Sequence, residues 1–229
     1  MKFWALFSGG KDSTACVEVL SDENKLAGIL SIDTGISAPD WLPFIQAQSA
    51  RWNVPHEIIK TTADYDQLVC KYGFPGPGLH GLFMNYLKGR AVRQFKKRYR
   101  SEKLASGVRA YESTRRFKKT REWGEFEGVA VWAPLFNWTT EAVWRFVNER
   151  GFKRSPAYEV LCISGDCLCG AYATEMERAA IKAFYPCVDE RLKRLETLTN
   201  KLWGWGNNKG KRSGAPVCVD CEAQGELAL

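Results

Sequence analysis

The stretch Phe3-Trp4-Ala5-Leu6-Phe7-Ser8-Gly9-Gly10-Lys11-Asp12-Ser13 decides the fold. Its first five residues are apolar without interruption, as in a strand covered on both faces of a parallel sheet. The run stops at Ser8, and two glycines follow. Residues 12–20 then carry Ala15, Cys16, Val19 and Leu20 at helical spacing. Strand, glycine loop and helix in this order suit an anion. Glycines let the backbone approach it closely, and the N–H groups of the opening helical turn point at it. Ser8 and Ser13 add hydroxyls, and Lys11 adds charge. The loop is too short for the Walker pattern G-x-x-x-x-G-K-S/T, and Asp follows its Lys. The plain alternative is an ordinary strand–helix turn.

Outward from this stretch the alternation repeats. Residues 26–32 form a second apolar run ending in Asp33-Thr34-Gly35, and Pro39 opens a helical pattern with Trp41, Phe44, Ile45 and Gln48. Residues 56–59 read as a third strand, 64–72 as a helix, 80–100 as a long basic helix, 104–108 and 129–132 as further strands. Residues 139–150 read as an amphipathic helix capped by Thr139 or Thr140. Strands alternating with helices predict an α/β fold with a parallel sheet. Beyond Ser155 the texture changes to cysteines, one helical stretch over about 175–202, and a Gly/Asn/Lys-rich loop. The expected organisation is a nucleotide-binding domain over 1–154 and a small cysteine-rich appendage over 155–229.

The chain has 229 residues, 45% hydrophobic and 26% charged, and a formal net charge of +7. No apolar run approaches the roughly 20 residues needed to span a bilayer, so no membrane partner is expected. The short apolar start meets a polar turn at once and does not read as a secretory signal. The charge is concentrated: residues 88–121 hold 14 Lys/Arg and two acids, while the remainder is net −5. Such a segment suits a polyanion, whether nucleotide phosphates, sulfate or nucleic acid, or else is a solvated helix face.

Of eight cysteines, six follow residue 160. A cytoplasmic, reducing setting makes clustered cysteines ligands or redox groups rather than disulfides. Cys162, Cys167 and Cys169 precede Cys218-Val-Asp-Cys221 by about fifty residues. A second cluster plus a C-x2-C hook is the pattern of a tetrathiolate site for Zn²⁺ or a 4Fe–4S cluster. Cys167, Cys169, Cys218 and Cys221 are the simplest set, with Cys162 spare; buried or free thiols are the alternative. Cys16, Cys70 and Cys187 read as packing residues. Trp203 and Trp205, with the basic run behind them, would cover the metal site or stack on nucleic-acid bases.

Ser8-Gly-Gly-Lys-Asp-Ser13 resembles the PP-loop of the adenine-nucleotide α-hydrolase-like superfamily, and the chain is similar to its phosphoadenosine-phosphosulfate (PAPS) reductase branch. Four further elements match in order: Asp33-Thr-Gly35; Gly76-Pro-Gly-Leu-His80 with Lys88 after it; Gly107-Val-Arg109-Ala-Tyr-Glu112-Ser113-Thr-Arg115-Arg116; and Pro134-Leu-Phe-Asn-Trp138. The resemblance implies a Rossmann-like (HUP-type) parallel-sheet fold. It implies that Ser8, Gly9, Gly10, Lys11, Asp12 and Ser13 hold nucleotide phosphates, and that Asp33 at the sheet edge orients the nucleotide or Mg²⁺. Arg109, Arg115 and Arg116 become phosphate or sulfate forks ordered by Glu112, with Lys88 and Arg93 as outer contacts or solvated positions. Lys11, Asp12, Arg109 and Arg116 are then the expected catalytic groups. Two reactions follow from the resemblance. One splits ATP into an AMP-type intermediate and pyrophosphate to activate an acceptor for sulfur transfer. The other reduces PAPS or adenylyl sulfate (APS) through a cysteine nucleophile, releasing sulfite. The intact Lys11-Asp12 and the absence of the reductases' Glu-Cys-Gly ending favour the first. An Fe–S cluster fits such sulfur chemistry better than zinc. A non-enzymatic nucleic-acid-binding protein using residues 88–121 is the third reading. The expected partners are an adenine nucleotide and a polyanionic acceptor or sulfur-donor protein, with a homodimer left open.

Overall fold

The computed structural model of the protein describes residues 1–112 and 121–204. Six strands form one sheet in the order β3-β2-β1-β4-β6-β5. They are β1 (Phe3–Leu6), β2 (Leu26–Asp33), β3 (His56–Lys60), β4 (Leu104–Ala105), β5 (Trp123–Phe126) and β6 (Val129–Trp132). All neighbouring pairs are parallel except β5 with β6. The nine α-helices among the described residues are α1 (Lys11–Asp22), α2 (Trp41–Ser49), α3 (Tyr65–Tyr72), α4 (His80–Met84), α5 (Arg90–Arg98), α6 (Thr140–Glu149), α7 (Pro156–Leu161), α8 (Glu175–Phe184) and α9 (Pro186–Thr199). No helix among them is long and apolar enough to cross a membrane.

The uninterrupted apolar run at the N-terminus is explained by two covered faces. Phe3, Ala5 and Phe7 enter one core cluster, with α1, α2 and α6, while Trp4 enters the other with Leu30, Ile59, Val92 and Phe95. This is the period-2 alternation of a strand with apolar neighbours on both sides. Trp4 lies flat across Gly28, where any Cβ would meet the indole at 2.8 Å. The first cluster continues without a break into Ala157, Leu161, Leu168, Ile181, Leu192 and Trp203. Residues 155–204 therefore share the core of the parallel sheet.

Several sequence-based boundaries shift for physical reasons. The strand expected over 104–108 ends at Ala105, because Gly107 turns in against the first turn of α1. The edge strand β5 carries no alternation a sequence reading could use; Trp123, Gly124 and Glu125 are all exposed. It joins β6 through Glu127 and Gly128, both at positive φ (54° and 74°), the tight hairpin turn that twists with its strands. The helix expected over 175–202 breaks at Tyr185-Pro186 into α8 and α9, since Pro186 can only begin a helix. Pro39 lies two residues ahead of α2 instead of within it. Residues 80–98 are helical as expected, but Asn85–Gly89 is a π-turn. Cys16 is buried, whereas Cys70 and Cys187 are exposed on α3 and α9 and are not packing residues.

Candidate active site

The glycine loop emerges at the C-terminal edge of β1, and α1 opens directly behind it. Gly9 has φ of 83°, and a Cβ there would meet Ile45 at 3.0 Å, so the loop is pressed against α2. Trp41 Nε1 donates to the Ser8 carbonyl at 2.8 Å. Ser13 Oγ donates to the Gly10 carbonyl (2.9 Å) and accepts from the Ser8 amide (3.2 Å), so its hydroxyl knits the loop together. Asp64, Thr139, Ser155 and Thr174 cap α3, α6, α7 and α8 with their side chains; α1 begins at Gly10 with no side-chain cap. The uncapped, dipole-bearing end of α1 thus faces the loop.

Lys11 has a side chain only 6% exposed, with Nζ 3.3 Å from Asp12 Oδ2 and 5.5 Å from the centre of the Trp144 ring. The other Asp12 oxygen belongs to Arg109, whose Nε approaches Oδ1 to 2.5 Å. The Arg109 side chain is 1% exposed, and its Nη1 also donates to the Trp138 carbonyl (3.3 Å) and Thr140 Oγ1 (3.2 Å). The guanidinium expected on phosphate is therefore placed on the protein, where it ties the Gly107-Val-Arg109 segment to α1 and α6. It holds Asp12, and through it Lys11, in position. Asp33, at the end of β2, accepts the Gly35 amide at 2.8 Å on Oδ1 and so shapes the neighbouring loop. Asp12 has both oxygens engaged, which makes it a positioning group as it stands.

The cysteine loop, residues 162–173, lies across the same sheet edge. The Ala38 amide donates to the Gly165 carbonyl (2.8 Å), the Leu168 amide to the Ile36 carbonyl (2.7 Å), and Tyr65 to the Cys169 carbonyl (2.9 Å). Ser164 packs against Gly10, where a Cβ would stand 3.1 Å from it. Lys88, carried on the π-turn, reaches Asp166 Oδ2 at 2.5 Å, and Ser164 donates to Asp166 Oδ1 at 2.6 Å. Burial opposes both charges. The Asp166 carboxylate and the Cys167 thiolate nonetheless hold Lys88 above the ordinary lysine range, and Lys88 and Ser164 hold Asp166 below the ordinary carboxylate range. Cys167 and Cys169 form a hydrogen-bonded pair: donation from Cys169, opposed by burial and aided by Lys88, favours the Cys167 thiolate. Trp203 closes the loop from behind, its Nε1 donating to the Leu168 carbonyl at 3.1 Å. Sequence reading missed Ser164 and Asp166; the only local signal was a polar Ser-Gly-Asp turn inside the cysteine cluster.

Cys162 ends α7 in a left-handed conformation. Among the described residues no three His, Cys, Asp or Glu side chains gather as a metal site. Cys218 and Cys221 lie outside the described residues, so the described thiols alone do not complete a tetrathiolate set. Arg115 and Arg116 also lie outside them, and Glu112 closes a short turn, Ala110–Glu112. Arg93 pairs with Glu127, away from the loop. Lys96, Lys97, Arg98 and Arg100 are exposed at the far end of α5, where Arg98 pairs with Glu57 near the start of β3. The basic segment is thus split: Lys88 sits at the loop, and this cluster sits at the opposite, N-terminal edge of the sheet.

Residues 2–169 match the family model of the phosphoadenosine phosphosulfate reductase domain. An uncharacterised protein of Methanocaldococcus jannaschii is 26% identical over 219 residues, covering 87% of this chain and 50% of the relative. The chain spans half or less of the length of the curated relatives it matches. Among solved structures, the phosphate complex of phosphoadenylyl-sulfate reductase from Candida auris shares the fold, with a TM-score of 0.52 and 16% identity over 69% of this chain and 77% of that one. The U34-tRNA thiolase of Methanococcus maripaludis, solved with its 4Fe–4S cluster, shares it with a TM-score of 0.51 and 14% identity over 99% of this chain and 81% of that one.

Proposed function

The chain belongs to the phosphoadenosine phosphosulfate reductase domain family, and from that premise we propose that it binds ATP at the glycine loop and splits it to activate an acceptor for sulfur transfer. An acceptor oxygen attacks the α-phosphorus, the bond to the β-phosphate bridging oxygen breaks, and pyrophosphate leaves with that electron pair. The acceptor keeps an adenylyl group that a sulfur nucleophile displaces, releasing AMP. The leaving group carries the charge that must be stabilised. Lys11, the uncapped N-terminus of α1 and the loop amides supply that stabilisation, and Arg109 supplies none directly because it is spent on Asp12.

The observation that carries the reading is one of placement. An intact Lys11–Asp12 pair opens α1, and the Cys167–Cys169 loop rests on the same glycine loop through Ser164. Sulfur-bearing side chains beside a nucleotide loop fit transfer of sulfur to a nucleotide-activated centre. Mg²⁺ would offset phosphate charge in such a reaction, and a 4Fe–4S cluster or zinc ion would need thiols beyond Cys167 and Cys169. A second reading, reduction of PAPS or APS, draws on the hydrogen bond from Cys169 and, after it, the charge of Lys88, which favour a Cys167 thiolate able to attack sulfur.

The test is pyrophosphate release from ATP in the presence of candidate acceptors. The wild-type chain releases it, and Lys11→Ala does not while its fold persists. Release untouched by Lys11→Ala, or no release with any acceptor, removes the proposal. Sulfite released from PAPS or APS with a thiol reductant transfers the chain to the second reading.

A further inference from the structure

Beyond β3, two tyrosines and three cations form a surface patch that the proposed chemistry does not use. Tyr72 closes α3, and Tyr86 lies on the π-turn Asn85–Gly89, with the ring centres 6.4 Å apart. Thr61 Oγ1, directly after β3, donates to the Tyr86 carbonyl at 2.9 Å. That bond pins the turn to the C-terminal edge of the sheet, the edge that carries the glycine loop. The Arg90 guanidinium carbon stands 4.6 Å from the centre of the Tyr86 ring, and Lys71 Nζ stands 5.1 Å from that of Tyr72. Lys201 is the third cation; a Cβ on Gly73, the residue after Tyr72, would meet its Nζ at 2.7 Å. Lys71 and Lys201 are exposed, and Tyr72, Tyr86 and Arg90 are half-buried.

Among the described residues, none of these three cations has a carboxylate partner. The neighbouring carboxylates are taken: Asp64 caps α3, Asp66 holds Arg191 and Arg194, and Glu127 holds Arg93. The Tyr72 hydroxyl takes hydrogen bonds from Tyr86 and Lys71, which hold it below the ordinary tyrosine range. These bonds fix the rings relative to each other, so they lose little freedom when a ligand stacks on them. The cluster at the far end of α5 lacks this combination, since its one ring, Tyr99, is turned onto Trp4 and Phe95. Flat rings among cations match unpaired bases on a phosphate backbone. The bases stack on the rings and on the guanidinium plane, and the phosphates take the cations. An acidic peptide would engage the cations alone, and a duplex keeps its base faces covered.

We propose that Tyr72, Tyr86, Lys71, Arg90 and Lys201 form a binding site for single-stranded nucleic acid, DNA or RNA. Lys88, two residues after Tyr86 on the same turn, reaches Asp166 of the cysteine loop. A strand on the patch therefore lies beside the sulfur-bearing loop. That the strand is the acceptor rests on the ATP-splitting reading; that it binds does not.

The experiment follows the fluorescence anisotropy of a labelled oligothymidylate and the matching oligouridylate on the purified chain at several salt concentrations. The wild-type chain binds at least one of them, and more tightly than the corresponding duplex; a preference between the two names the sugar. Tyr72→Leu and Tyr86→Leu each weaken binding by about five- to a hundredfold, the loss of one stacked base. Tyr72→Phe keeps the ring and stays within about twofold of wild type. Arg90→Gln and Lys71→Gln each lower the slope of log affinity against log salt by about 0.7, one phosphate contact on a single strand. Lys97→Gln, at the far end of α5, leaves affinity and slope as they were. No binding of either oligomer overturns the site, as does a duplex or a phosphopeptide bound as tightly. Folded leucine variants that bind like wild type overturn it too. If the leucine variants do not fold, a salt slope untouched by Arg90→Gln and Lys71→Gln overturns it. Binding that depends on these residues, in a chain that releases no pyrophosphate from ATP with the oligomer bound, leaves the site standing and removes its role as the acceptor site.

Discussion

Arg109→Met separates a positioning role for this arginine from a phosphate-binding one. Arg109 is 1% exposed and Asp12 is 23% exposed. Removing one partner of a buried ion pair costs about 3–5 kcal/mol, because the other charge stays behind without compensation. Here Asp12 is partly solvated and keeps Lys11 at 3.3 Å, so the lower end, about 3 kcal/mol, applies. At about 2–4 °C per kcal/mol for a chain of this size, the melting temperature falls by about 6–12 °C without any nucleotide present. Asp12→Asn, which strands Arg109 instead, destabilises by a similar amount. The double variant costs clearly less than the sum, with a coupling of at least about 1 kcal/mol. Urea denaturation of the four proteins measures the cycle. A single variant within about 2 °C of wild type, or an additive cycle, refutes the reasoning and returns Arg109 to direct contact with ligand.

Gly107→Ala is expected to push the α1 first turn outward, because its Cβ would fall well under 3.0 Å from the Asp12 carbonyl oxygen. Stability drops by about 1–3 kcal/mol, and nucleotide affinity falls with it; unfolding and binding titrations that match wild type refute the close approach. Among the described cysteines, thiol labelling of the native chain followed by peptide mass spectrometry should mark Cys70 and Cys187 first. Cys16 stays unlabelled until unfolding, since burial and then the nearby Asp12 charge push its thiol far above the ordinary range. Asp189 bridges α8 and α9 to Arg178 and Lys193. Burial would raise its pKa, but the two cations win and hold it below the ordinary 3.8. A depressed folded pKa means this stabilisation is complete above 3.8 and lost as pH falls through the folded value. Melting temperature followed from pH 6 to about pH 3 should therefore fall more steeply in wild type than in Asp189→Asn; parallel curves remove the effect.

The charge distribution bears on the acceptor. In sequence, residues 88–121 form one basic block beside a phosphate motif. In space, the exposed cluster Lys96, Lys97, Arg98 and Arg100 stands at the edge of the sheet opposite the glycine loop. A polyanion reaching both would have to pass along α5. Arg93 and Arg98 are already paired with Glu127 and Glu57, which lowers the field that this face presents.

What the sequence determined by itself is what contiguous residues dictate. Phe3 to Ser13 encodes strand, turn and helix within one short span, and the alternation behind it sets the parallel sheet. Caps such as Thr139 and Asp64 are equally local, each a side chain reaching an amide three residues on. The π-turn beneath Lys88 and the Glu127-Gly128 hairpin had no such signal, and their conformations follow from packing. The tertiary structure alone decided who meets whom at the site. Arg109 meets Asp12 across 97 positions, Lys88 meets Asp166 across 78, and Trp203 meets Leu168 across 35. One sequence records that these groups carry charge or hydrogen-bonding capacity but not their partners, because long-range pairing is settled only when the elements pack. That packing gives the arginine expected on phosphate a partner in the glycine loop, Asp12. It also set the 162–173 loop, which in sequence looks like part of an appendage, on the glycine loop.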